Sequence, residues 1–174
     1  TLECVADLTL AGLQSTTFSG LLMGHTGQGN AASFVINGGG TLNLTTTSET
    51  SDLNGNVTIA NNSTISIGVV GALGKRGTAR TLILETGGTL RTTGTSTTPN
   101  HLSFNTRLFQ LGLGNSSGVA GTIDVQNTSI PTAIVAGITN KTGVTTSGAL
   151  VKTGPGTLVL SGTNTYNGNT TIHQ

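Results

Sequence analysis

The stretch "LVKTGPGTLVLSGTNTYNGNTTI", residues 150–172, decides how the rest of the chain is read. At its centre, Gly156-Thr157-Leu158-Val159-Leu160 offers a small residue, a Thr, and then an apolar residue at every second position. Period two is the mark of a strand with one buried face. Leu158 and Leu160 are expected inside, Thr157 and Val159 outside. Gly154 and Gly156 flank Pro155, which suits a tight corner where a side chain would clash. Lys152 is read as a solvated outer residue. The ring of Tyr166, the only Tyr, is read as covering the edge of the core.

The same phrase recurs upstream. It appears as Gly40-Thr41-Leu42-Asn43-Leu44, as Ser63-Thr64-Ile65-Ser66-Ile67 and as Gly121-Thr122-Ile123-Asp124-Val125. Gly88-Thr89-Leu90 is a weaker copy, and Arg80-Thr81-Leu82-Ile83-Leu84 follows it without the Gly. Copies lie about 17 to 35 residues apart, the range of solenoid repeats. Between them stand turn signals such as Asn37-Gly38, Asn61-Asn62, Gly87-Gly88 and Asn167-Gly168, residue types that tolerate positive φ. Residues 24–32 and 68–80 are irregular and Gly-rich, and are expected to bulge as loops.

Two all-β architectures fit, a parallel β-solenoid and an antiparallel sandwich or barrel. Recurrence favours the solenoid, because stacked coils place like residues above like. The expectation is one β-solenoid domain over residues 1–174. A coil of about 22 residues gives about eight coils. Leu42, Leu44, Ile65, Ile67, Leu82, Leu84, Ile123, Val125, Leu158 and Leu160 should be interior.

Composition agrees with many short strands. Charged residues are 7% and aromatics 3% of the 174 residues, while Gly occurs 27 times. A disordered chain is rich in charge and poor in apolar residues; here hydrophobic residues reach 34%. A net charge of +1 gives no field to steer nucleic acid. No apolar run approaches the roughly 20 residues of a membrane helix. Cys4 stands alone, so no internal disulfide forms. Thr1-Leu2-Glu3-Cys4 lacks the basic and apolar regions of a signal peptide, so any export signal is expected outside this sequence.

The order Lys-Thr-Gly-x-Gly-Thr-Leu, then Ser-Gly-x-Asn-Thr-Tyr, then Gly-x-Thr-Thr-Ile, carried here by residues 152–172, resembles the passenger-associated transport repeat of bacterial autotransporters. The resemblance covers about 25 residues and is specific there; upstream only the Gly-Gly-Thr-Leu phrases fit it. It implies a right-handed parallel β-helix on an exported protein, extracellular or at the bacterial cell surface, in which the repeat is structural and carries no catalytic residue. In that family the repeat normally runs on into another Thr-Leu strand, and here the sequence stops at Gln174.

No catalytic, cofactor or metal role is assigned to any residue. The six acids are Glu3, Asp7, Glu49, Asp52, Glu85 and Asp124. Glycoside hydrolysis needs two carboxylates about 5–9.5 Å apart, and Glu49 with Asp52 reads as a solvated Thr/Ser loop. Asp124 takes an outward strand position without a partner nearby in sequence. His25, His101 and His173 lack metal-ligand spacing. Gly74-Lys75 resembles a phosphate loop, but Arg76 stands where Ser or Thr is needed. Lys75, Arg76 and Arg80 could hold an acidic polymer, and a solvated turn is the simpler reading.

The ends carry the one site expectation. Residues 54–59 and 167–172 share Asn-Gly-Asn-x-Thr-Ile, and the internal copy continues into the strand Thr64–Ile67. The final copy needs such a strand, and Thr1-Leu2-Glu3-Cys4-Val5 resembles one. Self-association is therefore expected between Thr1, Leu2, Glu3, Cys4 and Val5 of one molecule and Asn169, Thr170, Thr171, Ile172, His173 and Gln174 of another. The partner is the chain itself, head to tail, or the neighbouring coils of a longer chain, with a surface glycan or host receptor as a further ligand. The expected function is a non-catalytic structural or adhesive segment. The alternative is a polysaccharide-binding or polysaccharide-degrading β-helix.

Overall fold

The computed structural model describes residues 2–4, 8–12, 14–19, 22–24, 33–47, 53, 55–74, 80–94, 102–105, 107–112, 120–143 and 148–174. Every strand pairing among them is parallel, so the chain is a β-solenoid and the antiparallel sandwich falls away. The strands form four sheets; one pairs only Leu2–Cys4 with Leu22–Gly24, and the other three are faces of the solenoid. The long sheet stacks Ser15–Phe18, Thr41–Leu44, Thr64–Ile67, Thr89–Thr92, Gly121–Val125, Leu150–Thr153 and Thr170–Ile172. A second sheet stacks Leu8–Ala11, Phe34–Asn37, Val57–Ile59, Arg80–Glu85, Arg107–Gly112 and Ile138–Asn140. A third holds Ser103–Phe104, Thr132–Ile134 and Leu158–Leu160. Where the described residues trace a coil through, as in Arg80–Glu85, Thr89–Thr92 and Ser103–Phe104, it visits the second sheet, then the long sheet, then the third face.

Register explains the recurring phrase. In the long sheet Leu42, Ile65, Leu90, Ile123, Lys152 and Ile172 lie one above another. Successive members are 23, 25, 33, 29 and 20 residues apart, a mean of 26. Coils are thus longer than the sequence spacing suggested, and the deepest sheet has seven strands. In the second sheet Phe34, Val57, Leu82, Phe109 and Ile138 form the matching column. All five are fully buried, because period-two strands turn one side inward.

Eight of the ten residues expected inside are buried: Leu42, Leu44, Ile65, Ile67, Leu82, Leu84, Ile123 and Val125. Leu158 and Leu160 pack on the core but are only half-buried. Phe104 and Phe109 meet edge to face across a corner, with centroids 4.9 Å apart. That geometry sets the positive ring edge on the negative ring face. Thr92 takes an inward position above Ile67 and is fully buried. Its hydroxyl meets that of Thr132 from the third face at 2.6 Å, so the polar pair satisfies itself inside an apolar column.

Four expectations need correction. Lys152 is 8% exposed, because Leu150-Val151-Lys152-Thr153 pairs with Gly121–Val125 in a register that sets Lys152 on Ile123. The phrase ending in Leu160 does not stack on that strand at all; it joins the third sheet. Of residues 68–80, those from 75 to 79 lie outside the described residues, and the part before them is no bulge. Val70–Leu73 form a 3-10 turn whose residues are all buried, filling the third face of its coil. The alike copies at 54–59 and 167–172 sit on different faces, since Val57–Ile59 belongs to the second sheet and Thr170–Ile172 to the long one. Of residues 24–32, those from 25 lie outside the described residues.

Corners follow the turn residues. Asn61 and Asn62 adopt φ of 50° and 60° between Val57–Ile59 and Thr64–Ile67. Short polar side chains make that left-handed backbone tolerable. The Asn62 N–H then donates to the Thr86 carbonyl of the next coil at 2.9 Å.

Burial depth sets the order of core sensitivity. Ile123→Ala is expected to destabilise by about 2–5 kcal/mol, and Leu158→Ala by clearly less, since it is open on one side. Urea melts of the two variants check this; equal losses would mean that the end of the stack is as closed as its middle.

Candidate functional site: the C-terminal end face

The final coil is built by residues 150–172. After Leu158–Leu160, residues 164–167 cross the second face without forming a strand. Asn side chains replace the missing ladder. The Ile138 N–H donates to Asn164 Oδ1 at 3.0 Å, and the Thr165 N–H donates to the Ile138 carbonyl at 2.8 Å. Asn140 Nδ2 donates to Asn167 Oδ1 at 2.9 Å. Asn140 Oδ1 accepts from the Gly148 N–H at 3.0 Å. Tyr166 rests half-buried on the core, with its hydroxyl 2.5 Å from Thr170 Oγ1.

Two motif glycines are dictated by how closely this coil sits on the one before. Gly154 has φ of +79°, and a Cβ there would lie 2.4 Å from the Val125 carbonyl oxygen. A Cβ on Gly168 would lie 2.3 Å from the Gly148 carbonyl oxygen. Neither backbone obstacle can swing away as a side chain could.

Among the described residues, no strand stacks on this coil. Leu158–Leu160 and Thr170–Ile172 are last in their sheets, so each presents an edge without a strand among the described residues. Ile172 occupies the inward column yet is 67% exposed. A groove of about 300 Å³ runs between the two strands, walled chiefly by Leu150, Lys152, Pro155, Leu158, Leu160 and Ile172. Its one charged side chain is Lys152, whose Nζ donates to the Gly154 carbonyl. Alternation alone gave no sign of a cation here, because the Lys152 strand is out of phase with the phrase that repeats elsewhere.

The residues expected to associate fall at two ends of the coil order. Leu2, Glu3 and Cys4 form a strand paired with Leu22–Gly24, ahead of the first strand of either large sheet. Thr1 and Val5 lie outside the described residues. At the other end the Leu150 N–H donates to the Asn169 carbonyl at 2.9 Å, and the His173 N–H donates to the Lys152 carbonyl at 2.8 Å. Thr170, Thr171 and Ile172 pair with Leu150, Val151 and Lys152, and Gln174 borders the groove. Among the described residues, the two groups do not meet within one molecule.

The remaining charged candidates are described only in part. Asp124 faces outward and is 8% exposed at its side chain. Its Oδ2 accepts from Arg91 Nε at 2.7 Å and its Oδ1 from Gln126 Nε2 at 2.6 Å. Glu85 pairs with Lys141 from two coils further on. Arg80 lies buried in a strand and not in an exposed basic loop, while Lys75 and Arg76 lie outside the described residues. So do Asp7, Glu49, Asp52, His25 and His101. A second groove, about 380 Å³, lies on the outer side of the long sheet beside Thr17, Asn43, Ser66 and Thr93.

Two substitutions separate these roles. Lys152→Met should be neutral or stabilise by about 1 kcal/mol, because a buried ammonium with one carbonyl partner is replaced by an apolar chain of similar length. Arg91→Ala should destabilise by about 1.5–3 kcal/mol, since it strips a charge-assisted bond from a buried carboxylate. Thermal or urea unfolding reads both, and a large loss for Lys152→Met would mean that the corner bond outweighs the cost of burying the ammonium.

Neither a curated protein nor a solved structure matches the chain. One family model does, over the segment that builds the end face: residues 150–174 match the passenger-associated-transport-repeat, so the last coil of this solenoid is a copy of that repeat.

Proposed function

We propose that the chain is a non-catalytic structural and adhesive segment of a bacterial extracellular passenger. It serves as a stiff rod that presents its loops away from the cell and is lengthened at its end face by further coils. The observation that carries this reading is the open core at Leu158, Leu160 and Ile172, flanked by two strand edges. Such edges pair readily with another strand, and solenoid ends need a cap or a neighbour. The transport repeat at residues 150–174 supports an exported location. Asp124 and Glu85 each engage basic or amide partners, which suits a structural role for these two acids.

The neighbour is the chain itself, head to tail, or the following coils of a longer chain. A head-to-tail contact is heterologous and does not close, so it grows as a filament. Coil order supports it, because the strand due after Thr170–Ile172 belongs to the third face. In chain order Leu2–Cys4 likewise precedes Leu8–Ala11 and Ser15–Phe18, and it pairs with Leu22–Gly24 in a sheet of its own.

A second reading, glycan binding, is favoured by the groove on the long sheet, which hydroxyl and amide side chains border. A host glycan or cell-surface polysaccharide would lie along Thr17, Asn43, Ser66 and Thr93.

Sedimentation and electron microscopy test the first reading. The full chain is expected to associate as concentration rises, and a chain lacking residues 1–5 to do so less. A full chain that stays monomeric at high concentration removes the filament. Turnover of pectin, glucan or host glycan that is abolished by Asp124→Ala would remove the non-catalytic reading.

A further inference from the structure

We infer that the groove on the outer side of the long sheet seats one uncharged sugar unit of a polysaccharide, held from its floor by the Ser66 hydroxyl. This rests on the glycan-binding reading, and names the class of sugar and the residue that anchors it.

Ser66 sits on the outer face, stacked between Asn43 and Arg91 of the adjoining coils. Those longer side chains flank it, and it is 8% exposed. It borders the groove of about 380 Å³ together with Thr17, Asn43, Thr45 and Thr93. Among the described residues its hydroxyl makes no hydrogen bond, unlike that of buried Ser63, which bonds to the Gly39 backbone. A hydroxyl set so deep is normally paired, so its partner comes from what fills the groove. The backbone beneath is already engaged: the Thr45 N–H donates to the Phe18 carbonyl at 3.1 Å, and the Thr93 N–H to the Ile67 carbonyl at 2.9 Å. Only side chains are left to offer. An extended peptide, which is held through its backbone at a sheet edge, finds no edge here.

The bordering groups set the chemistry of the ligand. Hydroxyls both donate and accept, and so does an amide, which matches the hydroxyls of a sugar ring. Asn43 Nδ2 donates to Ser15 Oγ at 3.4 Å, leaving Oδ1 as an acceptor. Thr93 Oγ1 donates to the Ile67 carbonyl at 3.1 Å, leaving its lone pairs to accept. Among the described residues no charged side chain borders the groove. Arg91, stacked next to Ser66, already donates from Nε to Asp124 Oδ2 at 2.7 Å, so this cation is matched by a carboxylate of its own. An anionic sugar would give up water without gaining a counter-charge. An apolar ligand would strand the Ser66 hydroxyl. A neutral polyhydroxy ring avoids both costs.

Saturation-transfer NMR titrations of the full chain test this, with maltose, cellobiose, lactose and the acidic disaccharide digalacturonate as probes. At least one neutral disaccharide is expected to bind with a Kd of about 1 mM, weakly because no aromatic ring borders the groove to stack on it. Digalacturonate should bind at least about tenfold more weakly, for want of a counter-charge. Ser66→Ala should weaken the neutral sugar about fivefold, the loss of one hydrogen bond. Its thermal melt should match that of the unsubstituted chain, because no bond within the protein is lost. Thr122→Ala, on the same outer face but away from the groove, should leave binding unchanged. Digalacturonate binding as tightly as the neutral sugars, or in place of them, overturns the uncharged class and leaves the glycan reading standing. Neutral binding unmoved by Ser66→Ala, or weakened as much by Thr122→Ala, overturns the seat and leaves that reading standing too. Binding of none of the four overturns the inference and the glycan reading together.

Discussion

Each coil of this protein folds only against its neighbour. A strand of three or four residues has no stability alone; it holds because its N–H and C=O groups pair with the coil before and the coil after. The long sheet shows this seven strands deep. Backbone pairing fixes register, and register fixes which side chains share the interior. A slip of one residue would send Leu42, Ile65, Leu90 and Ile123 outward together. The column of apolar residues and the parallel ladder are therefore one constraint seen twice.

Close stacking then dictates the corners. Coils must approach to strand-pairing distance, about 4.8 Å, even where the chain turns. Gly154 and Gly168 meet the backbone of the preceding coil there, leaving no room for a Cβ. Where the ladder lapses, at residues 164–167, Asn164 and Asn167 supply side-chain amides in place of backbone groups. The motif's Gly and Asn residues thus serve contact between coils as much as the shape of the turn.

Polar groups enter the interior in two different ways. Thr92 and Thr132 satisfy each other from adjacent faces in the middle of the stack. Lys152 leans on a single carbonyl at the end of the stack. The difference in position gives the difference in meaning. The mid-stack pair joins two faces of the core, whereas the cation ties its strand to the corner that follows it.

Much of the fold was legible in the sequence, because the signals that carry it are local. Period-two alternation marked the strands at Thr41–Leu44, Thr64–Ile67 and Gly121–Val125, Asn and Gly marked the corners, and recurrence implied stacking. The transport repeat at 150–172 was readable for the same reason: its residues are contiguous. What the sequence could not determine is which strand lies on which. Loop lengths vary between coils, so like phrases need not share a face. Thr157–Leu160 looks like Gly121–Val125 yet belongs to the third sheet, while the unlike Leu150-Val151-Lys152-Thr153 takes the place above it. That choice is made by pairing between residues 20 to 33 positions apart. It alone turned Lys152 from an outer residue into an inner one and left Ile172 in an open column. Sequence determined the strands and their corners; only tertiary stacking decided their faces, because register is a property of two coils and not of one.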